Sequence, residues 1–103
     1  MASFFSILTL NAAPEDRDEA ISRFIASGPI EKCRDAIPGF VSGRLLKSMD
    51  DPSLAHVLVE WRDRRAYEDW MASPLRGGGD PDRRLFSPPT RSHLFELAHE
   101  VVR

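Results

Sequence analysis

The groups in this chain best suited to proton transfer are three imidazoles, His56, His93 and His99. Imidazole titrates near neutrality, so His56 or His93 is a candidate general base. None of the three forms an HxH or HxxxH pair, and no His, Cys or carboxylate cluster has metal-ligand spacing, so no metal is expected. His56 and Glu60 share one face of a strand, about 13 Å apart at a rise of ~3.3 Å per residue, too far to pair directly. His93 and His99 also share a face, roughly 20 Å apart by the same rise. Arg44 is a candidate stabiliser of an anion, or one half of an ion pair between subunits. Trp61, Tyr67 and Trp70 are large aromatics at spacings that suit either the walls of a pocket or the anchors of a core, and one dimension does not separate the two. Gly77-Gly78-Gly79 follows a helical pattern rather than a strand, which is the wrong context for a phosphate loop, and no nucleophilic triad emerges from the spacing.

Composition limits what such residues can serve. The chain has 103 residues, of which 42% are hydrophobic and 29% charged, as in ordinary globular proteins. One domain, residues 1–103, is expected. Fourteen basic against sixteen acidic residues leave a net charge of −2, with no general attraction for nucleic acid or anionic lipid. The single cysteine, Cys33, can form no internal disulfide. No apolar run approaches the ~20 residues of a membrane span. The opening SFFSILTL lacks the basic flank of a signal peptide. A cytoplasmic protein is the expectation.

The elements that must position these side chains follow from periodicity. Ser3 to Asn11 is rich in β-formers and apolar on both sides, Phe4, Ser6, Leu8 and Leu10 against Phe5, Ile7, Thr9 and Asn11, as for a strand covered twice. Pro14 suits a first helical position, with Glu15, Asp16, Asp18 and Glu19 in the positive end of the macrodipole. Ile21, Phe24 and Ile25 form the inward stripe of that helix. Gly28-Pro29 breaks it, and a shorter segment, Ile30 to Ile37, turns Cys33, Ala36 and Ile37 inward. Gly39 is expected at positive φ in a helix-to-strand corner. A strand from Phe40 to Met49, a turn at Asp50-Asp51-Pro52-Ser53 and a strand from Leu54 to Arg62 make a hairpin. The second of these strands sets Ala55, Val57, Val59 and Trp61 against His56, Leu58 and Glu60. Asp63 caps a helix running to about Ser73, which Pro74 ends. A glycine-rich loop over Arg76–Pro89, carrying Arg83, Arg84 and Phe86, is either a lid over a cavity or a plain connection. Arg83 to Phe86 has room for one helical turn, and Arg91 to Val102 reads as a last strand.

The order β-α-β-β-α-β is the ferredoxin-like α+β arrangement, an antiparallel four-stranded sheet with its helices on one face. Strands apolar on both sides, most clearly at Phe4/Phe5, Leu45/Leu46 and Val57/Leu58/Val59, leave the other face bare. A large exposed apolar face is rare in a monomer. A twofold homodimer, sheet against sheet, would bury it and leave each subunit a cavity between sheet and helices.

One stretch is distinctive. Residues Ile37–Pro74, IPGFVSGRLLKSMDDPSLAHVLVEWRDRRAYEDWMASP, combine an IPGF helix end, an acidic turn between strands, a strand closing in EW and a helix carrying AYEDW before a Pro. The pattern resembles the antibiotic biosynthesis monooxygenase family of the dimeric α+β barrel superfamily. The resemblance implies a ferredoxin-like fold paired sheet to sheet. In its oxygenase branch it implies a flat phenolic substrate between sheet and helices, oxidised without metal or flavin. There the phenolate itself reduces oxygen, while the protein orients it, stabilises the anion and excludes water. Trp61 and Tyr67 match that branch's Trp and Tyr in spacing. Its Asn is replaced by Val57, four residues before Trp61. Trp70 matches a Trp of the haem-degrading branch. That branch also needs a His about three turns later, where this chain has Gly77-Gly78-Gly79-Asp80, and an Asn on the first strand, where Ser6 or Leu8 stands. Haem degradation is therefore not the expectation.

The sequence thus points to a cofactor-independent monooxygenase of a small aromatic or polyketide-like molecule, a quinol or anthrone. Trp61, Tyr67 and either His56 or His93 are its catalytic candidates, and Trp70, Arg44, Arg83 and Phe86 its substrate-binding ones. A non-oxidative cyclase or isomerase on the same barrel, or a dimeric binding protein without chemistry, are the alternatives. An interior filled by its own aromatic side chains would favour the last.

Overall fold

The computed structural model describes residues 3–74, 86–87 and 92–103. Four strands, β1 (Phe4–Asn11), β2 (Phe40–Lys47), β3 (Leu54–Trp61) and β4 (His93–Glu96), form one antiparallel sheet in the order β2-β3-β1-β4. Three helices accompany them: α1 (Arg17–Ser27), α2 (Pro29–Ala36) and α3 (Arg64–Ala72). This is the ferredoxin-like α+β fold, with α1 and α2 as the two halves of its broken first helix. None of the helices described is long and apolar enough to cross a membrane.

The sheet has two unlike faces because side chains alternate along a strand. In β3, Ala55, Val57, Val59 and Trp61 are all buried, whereas His56, Leu58 and Glu60 are only half-buried. The buried set meets the helices. Ser6 and Leu10 of β1 pair with Val59 and Ala55 and join it.

The break between α1 and α2 has a local cause. Gly28 adopts φ 67°, a left-handed conformation that costs glycine little, and its N–H closes α1 on the Ile25 carbonyl. Pro29 then opens α2 from its first position, where no N–H is needed. At the hairpin, Asp51 Oδ1 accepts from the Ser53 amide at 2.9 Å and the Ser53 hydroxyl at 2.6 Å, an Asx turn. These bonds hold the Asp51 carboxyl below its ordinary range. Arg17 Nη1 donates to the carbonyls of Ser48, Asp51 and Leu54 at 2.9, 2.9 and 3.2 Å, tying the start of α1 to the hairpin. Asp63 caps α3 as expected, accepting from the Ala66 amide at 3.0 Å.

Several boundaries differ from the sequence reading. Pro14–Asp16 form a turn and α1 begins at Arg17, so the proline leads into the helix without belonging to it. Ile25, placed on the inward stripe, is 58% exposed, because the α1 stripe stops with Ala20 and Phe24. β2 ends at Lys47, and Met49 stands in solvent at 98% exposure. The last strand described is four residues long, not twelve: it pairs with β1 as far as Phe4, and beyond it the Leu97 N–H donates to the Ser3 carbonyl at 3.0 Å. His99 therefore lies past the strand and shares no face with His93. Gly39 does not have positive φ, since Gly28 is the one such residue among those described. Its glycine serves close approach instead: a Cβ there would sit 2.5 Å from the Ala66 Cβ. Gly77–Gly79, Arg83 and most of the expected loop over Arg76–Pro89 lie outside the described residues.

Gly39→Ala should accordingly cost about 1–3 kcal/mol in denaturant unfolding, the penalty of overpacking. Adding Ala66→Gly should recover part of that loss, and simple additivity of the two changes would contradict the close-approach explanation.

Candidate active site

Four rings gather at the end of the sheet where β1 and β2 begin and β3 ends. Trp61 packs edge-on against Phe40 (ring centroids 6.1 Å apart) and against Tyr67 (5.9 Å), and Phe4 lies 5.8 Å from Tyr67. β3 delivers Trp61 to the helix face by alternation, and the Asp63 cap starts α3 so that Tyr67 comes down on it. Trp61 is 1% exposed and donates its indole N–H to Ser6 Oγ at 3.0 Å. Ser6 is itself buried, so this bond is made in a dry interior where an unmet donor would be expensive. Nothing local joins these two residues; the β1–β3 register, Ser6 opposite Val59 and Phe4 opposite Trp61, is what brings them together.

Tyr67 differs from Trp61. Its ring is 8% exposed, yet its hydroxyl has no hydrogen-bond partner among the described residues. No buried side-chain polar atom described here lacks a partner, so that hydroxyl reaches solvent at the margin of the cluster. Trp70, three residues further along α3, is half-buried against the same core. Phe86 is core: buried, and edge-on to Phe24 of α1 at 6.5 Å.

The remaining candidates fall on the other face. Arg44 pairs with Leu58, Leu58 with Ile7 and Ile7 with His93, all on the side away from the helices. His56 is there too, Nδ1 3.1 Å from Thr9 Oγ1 of the opposing strand position. The single pocket expected from Trp61, Tyr67, Trp70, His56, His93 and Arg44 is therefore not formed. The sheet itself stands between the aromatic group and the His/Arg group, because His56 and Trp61 are an odd number of residues apart. Arg83 lies outside the described residues.

Cys33 is buried, and burial pushes its thiol up to about 12, so it remains a neutral thiol at physiological pH and is no nucleophile. Among the described residues no group of His, Cys, Asp and Glu is placed to hold a metal ion. One feature was missed from sequence: a cleft of about 290 Å³ between α1, α2 and β2, walled by Phe24, Ile30 and Phe40. Gly43 was its signal, since a glycine inside a strand often marks close approach. A Cβ at Gly43 would lie 2.6 Å from Ile30 Cγ2.

Fold and site define a ferredoxin-like α+β protein with an aromatic cluster between sheet and helices. The family model of the antibiotic biosynthesis monooxygenases matches residues 3–76, and the chain belongs to that family. Among solved structures it is similar to the haem degrader MhuD of Mycobacterium tuberculosis, solved with two haems in its active site, at 17% identity and TM-score 0.78, covering 96% of this chain and 99% of that one. A putative antibiotic biosynthesis monooxygenase of Bacillus cereus matches at 19% identity and TM-score 0.72 over 100% of both chains. SnoaB, a cofactor-independent oxygenase of Streptomyces nogalater, matches at 23% identity and TM-score 0.60, covering 98% of this chain and 95% of that one. At these identities the likeness is one of fold. No curated protein matches the sequence.

Ser6→Ala strands the Trp61 N–H in the interior and should cost about 1–3 kcal/mol in denaturant unfolding. Tyr67→Phe removes a hydroxyl with no protein partner and should stay within about 0.5 kcal/mol of the parent. Equal losses for the two would show that the Tyr67 hydroxyl is structural.

Proposed function

We propose that the protein is a cofactor-independent monooxygenase of a small aromatic, quinol- or anthrone-like substrate, acting on the helix face of the sheet and assembled as a homodimer. The observation that carries the reading is the Tyr67 hydroxyl. A tyrosine buried to this degree ordinarily finds a protein partner for its O–H. Here every buried polar side-chain atom described is satisfied, and this hydroxyl at the edge of the cluster is left open. A phenolate oxygen would supply its acceptor. Membership of the monooxygenase family, and the shared fold with a cofactor-independent oxygenase, support the reaction class.

In this reading Tyr67 donates to the substrate oxygen and stabilises the anion. The substrate supplies the electrons that reduce dioxygen: one oxygen atom enters it as a carbonyl, and the other leaves as water with the two hydrogens that the oxidised carbon loses. Trp70 offers an apolar flank beside it. Trp61 is a positioning residue: its N–H is committed to Ser6, and it acts by holding the Tyr67 ring. His56, His93 and Arg44 belong to the opposite face and take no part in proton transfer at Tyr67. Of the chain's three histidines, His56 and His93 lie on the outward face and His99 lies past the end of β4, so neither strand imidazole faces the helices. The bare face supports the pairing of two copies. Ile7 beside Leu58 and Phe5 beside Phe95 form an apolar stripe, with Phe95 49% and Leu46 44% exposed.

Oxygen uptake with a quinol or anthrone, in the presence of chelator and without added flavin, tests the proposal. Turnover should be seen with the parent, and Tyr67→Phe should lower kcat/KM by about 10²–10³-fold, the scale of one lost donor to an oxyanion. Uptake unchanged in Tyr67→Phe, or none across such substrates, would overturn the assignment.

A further inference from the structure

The cleft between α1, α2 and β2 is a feature that the Tyr67 reading does not use. We propose that it is a separate binding site for an uncharged, mainly apolar molecule of up to about two fused rings. Its walls are two phenyl rings, Phe24 and Phe40, with Ile25, Pro29 and Ile30 completing them. Its volume, about 290 Å³, is roughly twice that of an apolar cavity of about 150 Å³ known to take up benzene. It falls at the lower end of the ~300–1,000 Å³ range of ligand pockets. That size admits a two-ring molecule.

The backbone makes the space. The left-handed turn at Gly28 sets α2 at an angle to α1, and the absence of a side chain at Gly43 lets Ile30 and Phe40 seat against the strand. Ile25 is 58% exposed at the rim, a large apolar side chain left uncovered without benefit to the monomer's core. The lining carries no net charge that would favour a guest of either sign. The negative end of α1 and the positive end of α2 meet at Gly28 and oppose each other. Glu31 and Arg34 add one charge of each sign to the lining, and Arg34 is already bonded to Asp35 at 2.9 Å.

The site is distinct from Tyr67. Phe40 rests on Trp61 and Trp61 on Tyr67, so the Trp61 ring stands between a guest on Phe40 and the Tyr67 hydroxyl. It is also on the helix side of the sheet, and stays open when two copies pair through their bare faces.

Titration of the ¹⁵N-labelled protein at pH 7 with indole, a two-ring molecule that is uncharged at that pH and has no phenolic oxygen for Tyr67, provides the test. Saturable binding of one molecule per chain is expected, with amide shifts centred on Ile30, Phe40 and Gly43. Ile25→Lys, at an exposed position, should weaken it at least tenfold with an unchanged thermal midpoint. Shifts centred on Tyr67 and Trp70, no saturation at millimolar indole, or equal affinity in Ile25→Lys would overturn the proposal. So would concentration-dependent shifts of the cleft amides in free protein, which would mean that a second copy fills it. Binding is read without turnover, so failure here leaves the oxygenase reading standing, and the converse holds.

Discussion

The constraint on which the structure depends is the two-residue alternation of β3, the strand paired on both edges, with β1 and β2. Ala55, Val57, Val59 and Trp61 face the helices, and His56, Leu58 and Glu60 face away. Because neighbouring strands are locked to β3 by register, that one alternation assigns a face to every residue of the sheet. A slip of a single residue would move Trp61 out of the core and His56 into it, which burial of so large an aromatic forbids.

From this division two surfaces with different work emerge. The helix face is sealed by aromatic edge-to-ring contacts and by the bond from Trp61 to Ser6, leaving the Tyr67 hydroxyl as its open polar group. The filled cluster around Trp61 excludes water from one side of that hydroxyl, which strengthens any hydrogen bond it makes to a developing anion. The outward face carries apolar pairs framed by Arg44, His56, Glu60 and His93. The interior is packed by its own rings, the outcome that favours the binding-protein alternative, so the oxygenase proposal has to place its substrate at the margin of the cluster, at the open Tyr67 hydroxyl.

The architecture was legible in the sequence because each signal was local: strand alternation, the Gly28-Pro29 break, the Asx turn at Asp51 and the Asp63 cap. The element order followed from those periodic signals, and the family pattern in Ile37–Pro74 agreed with it. What escaped was non-local. The Ser6–Trp61 bond spans 55 residues and depends on register. Gly39 looked like a turn glycine because nothing near it in sequence announces Ala66 across the fold. The candidate residues were chosen by type, and type is blind to strand parity, so His56, His93 and Arg44 were grouped with aromatics from which the sheet separates them. The cleft required Gly28, Ile30, Phe40 and Gly43 to be seen together, and only Gly43 hinted at it.

The division of faces is tested most directly by sedimentation of the parent and of Leu58→Glu, a charge placed at the centre of the outward face. The account predicts a dimer for the parent and a folded monomer for the variant, with the near-ultraviolet signal of the Trp61–Tyr67 cluster retained. A parent that sediments as a monomer, or a variant that pairs as the parent does, would contradict it.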